Sequence, residues 1–222
     1  MGNCVALRAV PTPEPATSGP RDLAPGSIAL APHPACGPGP LRSLQARTAF
    51  EPGGRLTVEF DLRGDLARVR LAPASAAAQR RPDLWRHTCF ELFAGRNADP
   101  GYLEFNFAPS GDWAAWAFSD YRSGARELEA ARVGVSTHGV DAGHWRLRAQ
   151  AEFTAIPGPA DRAGTPVTWW LNLAAVIEAL DGSLTYWAAH HAGARPDFHD
   201  RASFCVPLRR DRSAVPPRAA GP

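Results

Sequence analysis

The feature that most restricts this chain is hydrophobic alternation with a period of two. In Arg55-Leu-Thr-Val-Glu-Phe-Asp-Leu62, residues Leu56, Val58, Phe60 and Leu62 share one face while Thr57, Glu59 and Asp61 share the other. Trp145, Leu147, Ala149 and Ala151 alternate in the same way with Arg146, Arg148, Gln150 and Glu152. Successive side chains of a strand point to opposite faces, so runs like these bury one face and solvate the other. Further strands are expected over 41–49, 67–71, 88–94, 102–109, 113–118, 132–137, 169–178 and 184–189, most of them bounded by Gly, Pro or Asp. Helical character is confined to two short stretches, 73–81 and 123–131, each of two turns at most. About ten short strands with no long helical period predict an all-β protein, an antiparallel β-sandwich or barrel. Ser110-Gly111-Asp112 and Asp181-Gly182 stand where hairpin turns belong, so consecutive strands should be neighbours.

A length of 222 residues, 45% hydrophobic and 21% charged, suits one domain with an ordinary core. Residues 1–40 hold nine prolines and five glycines, which remove backbone donors and work against regular pairing. The expected organisation is a disordered Pro/Gly-rich tail over 1–24, the folded domain over 25–208 and a second disordered tail, rich in Arg and Pro, over 209–222. The net charge is only +2, and all 24 basic residues are Arg, spread from Arg8 to Arg218 among 22 acids. A nucleic-acid surface would gather them into a patch, so no nucleic-acid partner is expected. The most apolar run, 167–180, is broken by Asn172 and Glu178, which excludes a membrane-spanning helix there. The start Met-Gly-Asn-Cys-Val-Ala-Leu-Arg lacks the pattern of a secretory signal, and Ala6 stands where a myristoylation site has Ser or Thr. A cytoplasmic location is therefore expected. Cys4, Cys36, Cys89 and Cys205 have no C-x-x-C spacing, so neither a zinc site nor a disulfide framework is indicated, and Cys89 and Cys205 read as buried free thiols.

Three segments are dense in aromatic and polar residues together: Leu84-Trp-Arg-His-Thr-Cys-Phe-Glu-Leu-Phe93, Tyr102-Leu-Glu-Phe-Asn-Phe-Ala-Pro-Ser-Gly-Asp-Trp113, and Tyr186-Trp-Ala-Ala-His-His-Ala-Gly-Ala-Arg-Pro-Asp-Phe-His-Asp200. With Phe118-Ser-Asp-Tyr-Arg-Ser-Gly124 and an exit strand over 203–208, they resemble the bacterial DOMON-like family, whose β-sandwich is similar to the family-9 carbohydrate-binding modules. The likeness covers about residues 30–208. It implies a ligand-binding fold, with sugars and haem as the ligand classes of related domains. A shared fold does not choose between them.

For a small polar ligand such as a saccharide, aromatic faces cover C–H surfaces while amides, carboxylates and Arg satisfy hydroxyls. The residues expected to bind are Trp85, His87, Glu104, Asn106, Tyr121, Arg122, Trp187, His190, Asp197 and His199. Trp116, Trp145 and one of Trp169 and Trp170 read as core, because their strands must bury one face. In related domains haem iron commonly takes Met or Lys with His, but Met1 is the sole Met here and Lys is absent. Haem would need His87, His190, His191 or His199 alone, so the reading without a cofactor is preferred. His190, His191, His199, Asp197 and Asp200 lie close in sequence, yet 196–200 reads as a turn in which Asp197 caps backbone amides. A calcium ion held by backbone carbonyls would leave no motif. Glu91 and Glu104 form the pair to test for glycoside-type hydrolysis, although a one-residue slip in register would place them on opposite faces. No G-x-S-x-G, H-E-x-x-H or phosphate loop is present. The expectation is thus a non-catalytic ligand-binding domain, with haem binding, hydrolysis through Glu91 and Glu104, and a ligand-free protein-interaction platform as alternatives.

Overall fold

The computed structural model describes residues 26–51, 55–96, 99–129, 131–152 and 169–208, with the side chains of 50 and 51 left aside. The expected tails over 1–24 and 209–222 lie outside the described residues. Twelve strands form: β1 (Ile28–Pro32), β2 (Leu41–Glu51), β3 (Arg55–Gly64), β4 (Cys89–Arg96), β5 (Tyr102–Phe107), β6 (Trp113–Phe118), β7 (Arg126–Glu127), β8 (Val133–Asp141), β9 (His144–Glu152), β10 (Trp169–Glu178), β11 (Leu184–Ala188) and β12 (Val206–Leu208). The fold is all-β, and every pairing between these strands is antiparallel. No helix among the described residues is long and apolar enough to cross a membrane.

The strands follow one curled path, β7-β6-β5-β4-β10-β11-β1-β2-β3-β9-β8, with β12 added beside β10. The curl makes two facing layers that meet at β1. Ile28, Ala29 and Leu30 pair with Ala46, Gln45 and Leu44 of β2, whereas Ala31 and Pro32 pair with Ala188 and Trp187 of β11. Sequence composition argued against pairing here, yet a strand that ends on Pro32 gives up only one donor at its terminus.

The core fills the space between the layers. Leu44, Leu56, Phe60, Leu62 and Leu147 from one side meet Phe90, Leu92, Phe105, Phe107, Leu171 and Leu173 from the other, all fully buried. The Phe60 and Phe90 rings lie 5.0 Å apart, and Phe90 stacks on Trp145 at 5.7 Å. On the other face of the β2-β3-β9 layer, Glu59 pairs with Arg47 and Arg148, and Asp61 with His144 and Arg146, all as direct cross-strand neighbours or next to one. These arginines are neutralised by acids on a solvated face, where each pair adds at most about 1 kcal/mol.

Four local expectations are corrected. Residues 73–81 are not helical: their backbone is taken up by the β5–β6 turn, with Ser75 N donating to Ser110 O, Trp113 N to Gln79 O and Arg81 N to Trp113 O. Residues 123–131 carry the two-residue strand β7, paired with Trp116 and Ala117. Residues 67–71 hold a 3-10 turn over Leu66–Arg68 and one isolated bridge, Val69 to Ala179, in place of a strand. Cys89 is buried as expected, but Cys205 is exposed.

Candidate ligand-binding site

Parity along the β4-β5-β10 layer separates two faces. Leu103, Phe105 and Phe107 of β5 enter the core, so Tyr102, Glu104 and Asn106 point to the opposite face. β4 likewise sends Cys89, Glu91 and Phe93 there. Yet all of these residues are buried, because two loops and a 3-10 turn cover that face. The turn is Leu84–Arg86, entered through Asp83 in the left-handed region at φ 61°. The first loop, 119–125, carries Arg122 at φ 49°. The second, 189–205, carries Phe198 and Phe204, which pack on Phe93, with Tyr102 also against Phe204.

Asp197 clamps the two loops together. Its Oδ2 accepts from the Tyr121 hydroxyl at 2.6 Å, and its Oδ1 accepts from Arg122 Nη2 at 2.8 Å and from His199 N at 3.1 Å. Against the opposing effect of desolvation, these bonds hold the Asp197 carboxyl below its ordinary range. A non-glycine residue in the left-handed region costs roughly 1–2 kcal/mol, and here the charge-assisted bond to Asp197 offsets it. His33 ties the second loop to the end of β1: its Nδ1 accepts from Ala35 N at 3.0 Å, so its Nε2 donates to Gly193 O at 3.1 Å.

Between the covers lies an open cleft of about 560 Å3. Glu91, Glu104 and Val176 form its floor; Trp85, Trp116, Phe118 and Tyr186 are aromatic walls; Arg122, Pro196, Phe198 and His199 close its rim. Trp85 is 48% exposed. Glu91 lies directly across from Asn106, and Phe93 across from Glu104. The two glutamates are therefore diagonal neighbours on one face, which resolves the register that sequence left open. Glu104 accepts from Asn106 Nδ2 at 2.6 Å. Burial first, and then the charge of Glu104, push the Glu91 carboxyl well above the usual carboxylate range. Burial also raises Glu104, against the Asn106 hydrogen bond and the charge of Arg122.

His199 is the third polar group. Tyr102 OH accepts from Arg122 N at 3.1 Å and is hydrogen-bonded to His199 Nδ1 at 2.7 Å. The other ring nitrogen, Nε2, faces Glu104 Oε2 at 3.8 Å. Burial, then the nearby Arg122 charge, lower the His199 pKa from 6.5 to about 4. The ring is neutral at physiological pH. Between pH 6.5 and about 4 the unfolded chain binds a proton here that the folded chain does not. Stability from this group is complete above pH 6.5 and is lost as pH falls through that window, by up to about 3 kcal/mol. In melts at pH 7, 5.5 and 4.5, wild type is expected to lose more Tm on acidification than His199→Gln. Parallel slopes would show that His199 is solvated.

Four expected residues line the cleft: Trp85, Glu104, Arg122 and His199. Asn106, Tyr121 and Asp197 stand behind them as hydrogen-bonding supports. Three lie elsewhere. Trp187 is 5% exposed and packs in the core between the layers, its Nε1 donating to Thr185 Oγ1, because its parity is opposite to that of Tyr186. His87 bonds Glu178 at 2.9 Å outside the cleft, and His190 is exposed beyond the end of β11. His191 bonds Ala31 O at 2.9 Å. Among the described residues, no group of three His, Cys, Asp or Glu side chains is placed to hold a metal ion. Trp116, expected in the core, is a wall of the cleft instead, and Ala115 and Ala117 take its place inside. Its pairing with Glu104 was the signal available.

The same curled sheet occurs in known proteins. A Bacteroides uniformis protein proposed to bind carbohydrate superposes with a TM-score of 0.54 at 16% identity, over 80% of this chain and 84% of that one. A family-9 carbohydrate-binding module from Caldicellulosiruptor kristjanssonii, solved with cellotriose, gives 0.50 at 10% identity, over 86% and 87%. The fold is that of the family-9 carbohydrate-binding modules. No protein-family model matches the sequence, and no curated protein matches it. The likeness is thus one of family-9 architecture, as the three aromatic segments led one to expect, and these identities establish architecture alone.

Proposed function

We propose that this chain is a non-catalytic binding domain for a saccharide and that the cleft over β4, β5 and β10 is its site. The observation that carries the reading is the composition of that cleft: aromatic walls on a floor of carboxyls, with a guanidinium and a neutral imidazole at the rim. Flat aromatic faces cover the C–H surfaces of a sugar ring, while the polar groups take its hydroxyls. The volume of about 560 Å3 is in the range of sites for small ligands. The cellotriose held by the Caldicellulosiruptor module of like fold adds support.

Binding fits the two carboxyls better than hydrolysis does. A glycosidase places its acid and its nucleophile or base on either side of the bond to be cut. Glu91 and Glu104 are adjacent on one floor, so both lie beneath the same side of a ligand. The exposed large apolar residues described are Trp85, Tyr121, Val140 and Leu180, and Trp85 and Tyr121 flank the cleft. They are not the broad apolar face that an interaction platform would present.

Titration with oligosaccharides is expected to change the intrinsic tryptophan fluorescence. Trp85→Ala and Trp116→Ala should each weaken binding roughly tenfold, from a loss of about 1–2 kcal/mol of stacking. Trp145→Phe, partly buried against the core and outside the cleft, should leave affinity unchanged. If no saccharide perturbs the spectrum, or both wall variants bind as wild type does, the assignment is wrong.

A further inference from the structure

We infer that the cleft selects saccharides bearing a protonated amine over neutral ones. The inference rests on the saccharide reading and adds the chemical class of its ligand. Glu91 is only 3% exposed, lines the cleft and has no hydrogen-bond partner among the described residues. A buried carboxyl in that state is costly to ionise unless a donor or a cation completes it. Glu104, 5% exposed, lies diagonally beside it, and one of its oxygens is taken by Asn106.

The charges near the floor do not cancel. Arg122 is the cation at the rim, and its Nη2 is bound to Asp197. His199 is neutral. Arg122 opposes the rise of both carboxyls, but it also serves Asp197, so one positive charge faces three carboxyls and the floor turns net negative when Glu91 and Glu104 both ionise. Two adjacent carboxyls resist ionising together unless a cation sits between them. A hydroxyl offers one donor and no charge, whereas an ammonium group offers three donors and the charge that lets both carboxyls ionise. The walls act in the same sense, because the faces of Trp85, Trp116 and Tyr186 attract cations.

The test compares three matched trisaccharides by calorimetry near pH 6: β-1,4-linked glucosamine trimer, its N-acetylated form, and cellotriose. The amine-bearing trimer should bind at least about tenfold more tightly than either neutral one. Glu91→Gln should bring all three within about threefold, and Glu104→Gln should reduce the preference; near-UV circular dichroism confirms that each variant is folded. Equal or tighter binding of a neutral trimer overturns the inference and leaves the saccharide reading standing. Persistence of the preference in both variants also overturns it, since the charge would then lie elsewhere. If none of the three binds, the saccharide reading falls and this inference falls with it.

Discussion

Glu91→Gln is expected to raise the melting temperature at pH 7.5, with almost no effect at pH 4.5. The folded-state pKa of Glu91 lies well above its ordinary value, first through burial and then through Glu104. A group raised in this way contributes stability that is complete below the unfolded value near 4.5 and is lost as pH climbs towards the folded one. At pH 7.5 the fold is therefore holding a carboxyl that it would prefer protonated. A neutral amide removes that opposition and adds a donor within reach of Glu104, for a gain of more than about 1 kcal/mol. In a domain of this size that is roughly 2–4 °C or more. The contribution of His199 is common to both proteins and cancels in the comparison. An unchanged or lower Tm at pH 7.5 would mean that Glu91 is well solvated or paired, and would remove the basis for a net negative floor. A stabilising substitution that costs ligand discrimination is the usual trade at a binding site.

Gly95→Ala should destabilise the protein and loosen the site together. A Cβ at position 95 would stand 1.6 Å from Arg201 Nη1 and 2.5 Å from its Cζ. The end of an Arg side chain can swing away, so the cost is not a backbone collision but the contacts Arg201 gives up. Those are the bond from Nη2 to Arg96 O at 2.7 Å and the stacking of its guanidinium over Phe204 at 4.5 Å. Arg201 opens the 3-10 turn that follows Phe198 and His199, and Asp200 caps that turn by accepting from Ala202 N. Freeing it unfastens the cover of the cleft from β4. A loss of about 2 kcal/mol is expected in urea melts, with weaker saccharide binding at temperatures where the protein is still folded. Gly134→Ala is the control. A Cβ there meets nothing within 4 Å, so its stability should stay level or rise by up to about 1 kcal/mol. If both variants melt alike, Arg201 is not a fastener.

What was legible in the sequence followed the chain's periodicity. Strand β3 could be read from Leu56, Val58, Phe60 and Leu62, because one of its faces meets solvent and the other the core. The same rule misled at β6, where small Ala115 and Ala117 face the core and large Trp116 faces a covered cleft. Alternation says which residues share a side; it does not say which side is inside once loops bury both. The hairpin held a further clue. Ala108 N donates to Asp112 O, and Gly111 sits at φ 93°, the left-handed position of a three-residue loop. Counting back from that closing pair sets Glu104 opposite Trp116 and the wall beside the floor. Trp187 failed for a related reason, because a loop-like polar neighbourhood concealed that its own parity pointed inward. The diagonal placement of Glu91 and Glu104 needed the actual pairing of β4 with β5, which the connection across 97–101 did not disclose.

The shared strand β1 has a consequence for how the protein is made. Ala31 pairs with Ala188, and His33 reaches a residue 160 positions later in the chain. The strand that joins the two layers therefore waits for nearly the whole domain to leave the ribosome. Until β11 emerges, β1 has only its partner in β2, and the floor of the cleft has no 189–205 cover. Contacts at such separation fold slowly and leave sheet edges open meanwhile. In a series of stalled nascent chains, protease resistance should therefore arrive late and all at once, after residue 205 is clear of the exit tunnel, instead of accumulating hairpin by hairpin.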